Sequence, residues 1–220
     1  MKERRKGLLW EMALILLTVA ACLYSTGAGN IFGAKVDWSS QHSVFPEYFR
    51  QQFYRTGQFF PEFALNIGGG QNIYNFSYYG LFSPVVLIGY LLPNVKMSDY
   101  MMVASIVCLA AAVIILYRWL KSREFTAAVS GMTALMFLFA GPMIYQSSHQ
   151  IMFVNYMPFL CLTFFGIDRY FEQKKSGLLI GGTFLMIMTS FYFSIGGILV
   201  LFIYGVFQYL DIQEKQRKKV

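Results

Sequence analysis

The chain alternates between long apolar runs and short polar joints, with one exception near its first third. A helix that crosses a bilayer needs about 20 mostly apolar residues, and five or six segments qualify. They run from about Leu8 to Thr26, Tyr100 to Trp119, Ala127 to Tyr145 and Ile151 to Ile167. The stretch Leu178 to Leu210 is long enough for two crossings with a tight turn near Ser190 to Ser194. Gly80 to Pro93 is apolar but short, and Pro84 and Pro93 bracket it. Apolar runs of about 10–14 residues are more often re-entrant or interfacial than spanning. The expected fold is therefore all-α: a polytopic transmembrane helix bundle with about six spans plus one re-entrant or interfacial helix.

The exception is Lys35 to Tyr79, which holds Asp37, Gln41, His42, Glu47, Arg50, Arg55, Glu62 and the run Gly68-Gly69-Gly70. Long loops without secondary structure of their own are uncommon unless they act. Within this one, Val44, Phe45, Tyr48, Phe49 and Phe53 fall at helical spacing, with Glu47, Arg50 and Gln51 largely opposite. That pattern predicts an amphipathic helix over Ser43 to Tyr54 lying along the membrane surface. Ser43 would be its N-cap, with Pro46 in the first turn.

Composition agrees with the apolar pattern. Charged residues make up 13% of the chain, against roughly a quarter in soluble domains, and mean hydropathy is positive. The net charge of +7 does not indicate nucleic acid, because the cations sit at the ends of apolar runs. Four clusters stand out: Lys2-Arg4-Arg5-Lys6, Arg118-Lys121-Arg123, Arg169-Lys174-Lys175 and Lys215-Arg217-Lys218-Lys219. The positive-inside rule places all four in the cytoplasm, and alternate crossings do so if Gly80 to Pro93 stays on one side. The expectation is a single transmembrane domain over 1–220, with 1–7 and 211–220 cytoplasmic and 27–99 an outer loop carrying juxtamembrane helices. Residues 146–150 and the turn at 191–194 would face the same outer side. The first apolar run is longer than a signal-peptide core and reads as an uncleaved span. Cys22, Cys108 and Cys161 lie inside apolar runs and read as small buried hydrophobes.

Candidate chemistry concentrates on the outer side. Asp37 can act as a general base toward a hydroxyl above the bilayer, or it is a solvated loop acid. Gln41 lies four residues on and shares its face if a helical turn starts at Asp37. His42 can donate to a phosphate or titrate near neutral pH, and His149 is expected on the same side. A zinc site would need a third or fourth ligand at recognisable spacing, which is not evident. Asn66-Ile67-Gly68-Gly69-Gly70-Gln71-Asn72 lacks the Lys-Ser/Thr ending of a P-loop and reads as a tight turn near a ligand or headgroup. Tyr78 and Tyr79 can stack on a sugar ring or simply belong to an interfacial belt. Lys35 and Arg50 are cations able to meet a phosphate. Glu11 lies within reach of water or of Arg4 or Arg5, and Asp168-Arg169 reads as an anchor at one span's end. Apart from Glu11, the spans show almost no polar residues.

The order Val36-Asp37 … Gln41-His42, Asn66-Ile67-Gly68 … Gln71 and Tyr78-Tyr79-Gly80-Leu81-Phe82-Ser83-Pro84 resembles the N-terminal part of the bacterial YfhO family. So do Ser148-His149 … Phe153-Val154-Asn155-Tyr156-Met157-Pro158 and Ser190-Phe191-Tyr192-Phe193. The resemblance implies a GT-C-like membrane glycosyltransferase using a polyprenyl-phosphate-linked sugar outside the cytoplasm. The acceptor it implies is a cell-wall glycopolymer such as lipoteichoic acid. Asp37 matches the position of the catalytic acid in the first outer loop of such enzymes. Lys35, Gln41, His42, Arg50, Asn66, Tyr78, Tyr79 and His149 are the candidate substrate contacts. Transfer can be metal-independent or assisted by a divalent ion, and no organic cofactor is expected. Family members are usually longer, so the chain is expected to be the N-terminal part of a larger fold. Two other readings are a transporter or flippase component and a non-catalytic assembly subunit.

Overall fold

The computed structural model describes residues 2–26 and 37–217; Lys35 lies outside them. Nine α-helices carry the described residues: α1 (Lys2–Thr26), α2 (Val44–Thr56), α3 (Pro84–Gly89), α4 (Met97–Ser122), α5 (Ala127–Leu138), α6 (Gly141–His149), α7 (Ile151–Gln173), α8 (Gly177–Thr189) and α9 (Phe191–Arg217). A two-residue antiparallel hairpin, β1 (Phe63–Ala64) against β2 (Gln71–Asn72), interrupts them, with Phe63 opposite Asn72. Gly68, Gly69 and Gly70 turn this hairpin with φ of 57°, 81° and 103°, backbone that glycine adopts without steric cost. The architecture is the all-α bundle that the apolar runs predict.

Helices α1, α4, α7 and α9 are each long and apolar enough to cross a bilayer, and α5 with α6 passes only as a pair bent by 51°. The bend falls at Phe139 and Ala140, just before Gly141-Pro142. Proline has no N–H for the preceding turn, so the helix restarts there. The straight span expected over Ala127 to Tyr145 is therefore a broken one. Helix α8 has 13 residues, about 20 Å of helix, against a hydrocarbon core of about 30 Å. These are the dimensions of a multi-pass membrane protein.

Helix α7 is the hub. Buried residues make up 72% of its apolar window, against 17%, 33% and 22% for α1, α4 and α9. The outer helices leave Leu8, Leu9, Leu16, Ile195 and Phe202 exposed, an apolar surface suited to lipid rather than water. Close packing against α7 depends on small residues. A Cβ at Gly166 would sit 2.6 Å from the Leu179 backbone, and one at Gly182 would sit 2.7 Å from Thr163. Small residues at such positions let helix backbones approach.

Ion pairs and hydrogen bonds bring the basic stretches to one end. Arg118 donates to both Glu11 oxygens at 2.8 and 2.8 Å, tying the start of α1 to the end of α4. Glu11 thus pairs across helices with Arg118, because its face turns toward α4. Asp168 on α7 accepts from Trp119 Nε1 at 2.9 Å and from Tyr204 and Gln208 on α9. Arg123 lies 3.7 Å from the same carboxylate. Asp168 is buried, so the anchor expected there is a four-way staple of α4, α7 and α9.

At the opposite end, residues 37–99 fold into a cap. Trp38, Phe49, Ile73, Leu81, Val86 and Tyr90 form its core and rest on Met97, Met101, Ile151 and Met152 at the ends of α4 and α7. Helix α3 has six residues, about 9 Å, far short of a bilayer. It lies on α4, where a Cβ at Gly89 would meet the Tyr100 ring at 2.7 Å and the Tyr100 hydroxyl donates to Val85 O at 2.6 Å. The predicted amphipathic helix is present as α2, with two differences. Ser43 stands at the N-cap but caps nothing forward; its hydroxyl turns back to Trp38 O at 2.7 Å. Arg50, read on the polar face, is 5% exposed. Its guanidinium donates to Leu92 O and Val95 O, both at 2.7 Å, and pairs with Glu47. A helical wheel shows α2's own faces but not the returning 92–95 chain that buries one of them.

Candidate functional site

The cap begins with Asp37 and a π-helical turn over Trp38–His42. The Ser43 N–H closes this turn on Trp38 O at 3.1 Å, and the turn drives Trp38 and His42 inward together. His42 is 1% exposed, and its Nδ1 has no hydrogen-bond partner among the described residues. Burial lowers its pKa below 6.5, while the charge of Asp37 works in the opposite direction. Burial thus favours the neutral imidazole, with Asp37 close enough to be felt. Gln41 is half-buried on the same turn.

The next wall is aromatic. A 3₁₀ segment, Ile73–Tyr79, starts where Asn72 Oδ1 accepts from the Tyr74 N–H at 2.9 Å. It presents Tyr78 and Tyr79 side by side, edge to face at 5.3 Å. Tyr79 stacks on Phe45 of α2 at 4.7 Å and lies 6.4 Å from the His42 ring. The Tyr78 hydroxyl donates to Gln150 Oε1 at 3.1 Å, and its ring meets Phe191 and Tyr192 edge-on at 6.4 and 6.1 Å. Burial raises the Tyr78 pKa most, and the charges of Tyr79, Tyr192 and Asp37 add to it. Tyr78 therefore joins three separate segments: the cap, the α6–α7 junction and the start of α9.

These contacts gather Asp37, His42, Tyr78 and Tyr79 of the candidate set, with Gln41 on the same turn. His149 is the last residue of α6 and neighbours Gln150; its ring lies flat on Tyr145 at 4.1 Å, with Nδ1 2.8 Å from Tyr145 O. Two candidates are engaged elsewhere. Arg50 holds the 92–95 chain, as described above. Asn66 sits in the exposed hairpin turn, where its Oδ1 accepts from the Tyr48 hydroxyl at 2.9 Å.

Pattern reading passed over other polar groups at this end of the bundle. Gln150 receives Tyr78. Gln146 Oε1 and Asn155 Oδ1 are buried without a partner among the described residues. Buried polar groups are nearly always hydrogen-bonded, so each orphan requires a reason. Asn155 also corrects the expectation of spans with almost no polar residues, since it lies one turn into the most buried helix and is 2% exposed. The available signal was an amide inside an apolar run, a functional pointer within membranes.

Among the described residues no three His, Cys, Asp or Glu side chains gather as a metal would need. Below the cap, an apolar pocket of about 390 Å³ opens between α1, α4 and the broken α5–α6 pair. Cys22, Leu109, Leu138 and Met143 line it, and Ser147 stands at its cap end.

The family model described as bacterial membrane protein YfhO matches residues 12–220, so the chain belongs to that family. No curated protein and no solved structure matches.

Proposed function

We propose that this YfhO-family membrane protein transfers a sugar from a polyprenyl-phosphate donor to a cell-wall glycopolymer, such as lipoteichoic acid, at the outer membrane face. The observation that carries the reading is the convergence at Tyr78. Three segments far apart in sequence meet there, beside a buried imidazole with an open nitrogen and a carboxylate that both His42 and Tyr78 sense. The basic clusters lie at the opposite end, which supports an outward-facing cap by the positive-inside rule.

In this reading the donor's isoprenoid chain occupies the apolar pocket between α1, α4 and α5–α6. The sugar stacks on Tyr78 and Tyr79. The donor phosphate accepts hydrogen bonds from His42, and His149 adds polar character near it. Donors already in place stabilise the charge that grows on the leaving phosphate. The acceptor hydroxyl attacks the anomeric carbon, its proton passes to Asp37, and the bond to the phosphate oxygen breaks. One direct displacement inverts the anomeric centre. Arg50 acts by holding the cap closed, not by touching the donor.

Asp37→Asn tests the proposal. Loss of a general base costs about 10²–10⁴-fold in rate, so sugar incorporation should fall by at least that lower figure while membrane insertion stays normal. Wild-type incorporation by the variant removes Asp37 from the mechanism. The buried Asn155 amide on α7, unpartnered among the described residues, favours a transporter or flippase component. That reading expects Asn155→Leu to abolish lipid-linked sugar movement, with transfer to an acceptor supplied on the cap side intact.

A further inference from the structure

A second apolar groove lies at the basic end, far from the cap, on the outward faces of α7, α8 and α9. Its volume is about 580 Å³, within the ~300–1,000 Å³ of pockets that hold small ligands. Phe171, Leu179, Leu201 and Phe202 form its walls. Along α9 it reaches from Ile198 to Tyr209, roughly 16 Å of helix rise. Gly205 lines the middle, and a Cβ there would meet nothing within 4 Å.

The mouth is cationic. Tyr170 lines the groove at its basic end, and Lys174 Nζ stands 5.7 Å from the centre of that ring. Lys174 has φ 59°, which turns the chain at the end of α7 and leaves Arg169, Lys174 and Lys175 exposed together. Two nearby acids are directed elsewhere. Glu172 lies 4.0 Å from Arg123, and Asp211 pairs with Lys215 at 2.6 Å. Positive charge is therefore in excess where the apolar groove opens. A sugar or nucleotide would find few polar groups in this wall, whereas an amphiphile with an apolar chain and an anionic head matches both parts.

We propose that this groove binds an anionic phospholipid, with one acyl chain along α9 and the phosphate against Lys174, Lys175 and Arg169. Juxtamembrane cations attract anionic headgroups, and basic pockets between transmembrane helices bind them selectively. The site is independent of the cap chemistry and would serve to fix α8 and α9 against α7 in the bilayer.

Native mass spectrometry of the full purified chain tests this, with phosphatidylglycerol and phosphatidylcholine of identical acyl chains as probes. Wild type should retain phosphatidylglycerol preferentially. Lys174→Gln with Lys175→Gln should reduce that retention by about fivefold for each charge removed, with phosphatidylcholine unaffected. Gly205→Phe, which fills the groove, should lower retention of both lipids. Equal retention of the two lipids by wild type overturns the proposal, as does a phosphatidylglycerol preference that survives both sets of changes. Cross-linking of Gly205→Cys copies to one another would mark the groove as a copy-to-copy contact and also overturn it.

Discussion

Removing the Arg50 guanidinium should loosen the cap and leave the bundle intact. Its Nη1 gives hydrogen bonds of 2.7 Å to Leu92 O and to Val95 O. Bonds involving a charged group contribute about 1.5–3 kcal/mol each. Leu92 and Val95 are exposed, so water recovers part of the loss and the lower figure applies to both. Glu47 would lose its cation but keep Gln51 at 3.0 Å and the Met97 N–H at 3.2 Å. Its side chain is 32% exposed, so the cost of an orphaned charge falls well below that of a fully buried pair. The loss is about 3 kcal/mol, roughly 150-fold in the opening equilibrium of the cap. Arg50→Met keeps the apolar stem and removes only the head. Hydrogen exchange should speed up across 84–97 by about that factor, with α7 amides unchanged. Unaltered exchange in 84–97, or equal loss in α7, refutes the reasoning. If Arg50 bound the donor phosphate directly, Arg50→Lys would raise the donor KM while exchange stayed at wild-type rates.

Three further outcomes follow from packing and charge. Gly166→Ala places a Cβ 2.6 Å from the Leu179 backbone, so α7 and α8 must separate at a cost of about 1–3 kcal/mol; thermal unfolding in detergent should show a lower midpoint, and an unchanged one contradicts the packing. Asp168→Ala strips the acceptor from Trp119, Tyr204 and Gln208 and the counter-charge from Arg123, a loss of about 3–5 kcal/mol; Asp168→Asn, which keeps one acceptor oxygen, should lose clearly less in the same denaturation series. His42 has a folded pKa below its unfolded value near 6.5, so the unfolded state binds more protons as pH falls. Its contribution to cap stability is complete above about pH 6.5 and declines as pH drops toward the folded value. Cap amides should show lower protection factors at pH 5.5 than at 7.5 in wild type, and His42→Phe should flatten that difference.

The helical bundle was legible because span length and charge at span ends are local rules. Apolar runs near Leu8, Tyr100, Ile151 and Leu178 become α1, α4, α7 and the α8–α9 pair, with the break at Ser190 as read. The kink between α5 and α6 was also written locally, in Gly141-Pro142, but length counting passes over it. Other features depend on partners far away in the chain. Arg50 is buried by residues 92–95, and Asp168 by Tyr204 and Gln208, 36 and 40 positions on. No periodicity within one helix contains that information. Of the site, Asp37, His42, Tyr78 and Tyr79 could be named from residue type and position. Gln150 acquires its role only when the chain folds, because Tyr78 reaches it across 72 residues.

The buried carboxylate at one end of the bundle and the buried imidazole at the other are held differently, and the difference bears on where chemistry occurs. At the basic end Asp168 is saturated by three donors, with Arg123 beside it. A carboxylate held in that way is committed to donors from two other helices, and its role is to fix them. At the cap end Nδ1 of His42 and the amide oxygens of Gln146 and Asn155 are enclosed yet unpaired among the described residues. Leaving each open costs about 1–3 kcal/mol, which a purely structural cap could avoid by substituting apolar side chains of similar size. Polar groups kept open at that cost are positioned for a ligand that completes their hydrogen bonds. If so, His42→Phe and Asn155→Leu should each stabilise the ligand-free protein while lowering sugar transfer. A variant that loses stability and activity together would instead mark its side chain as part of the scaffold.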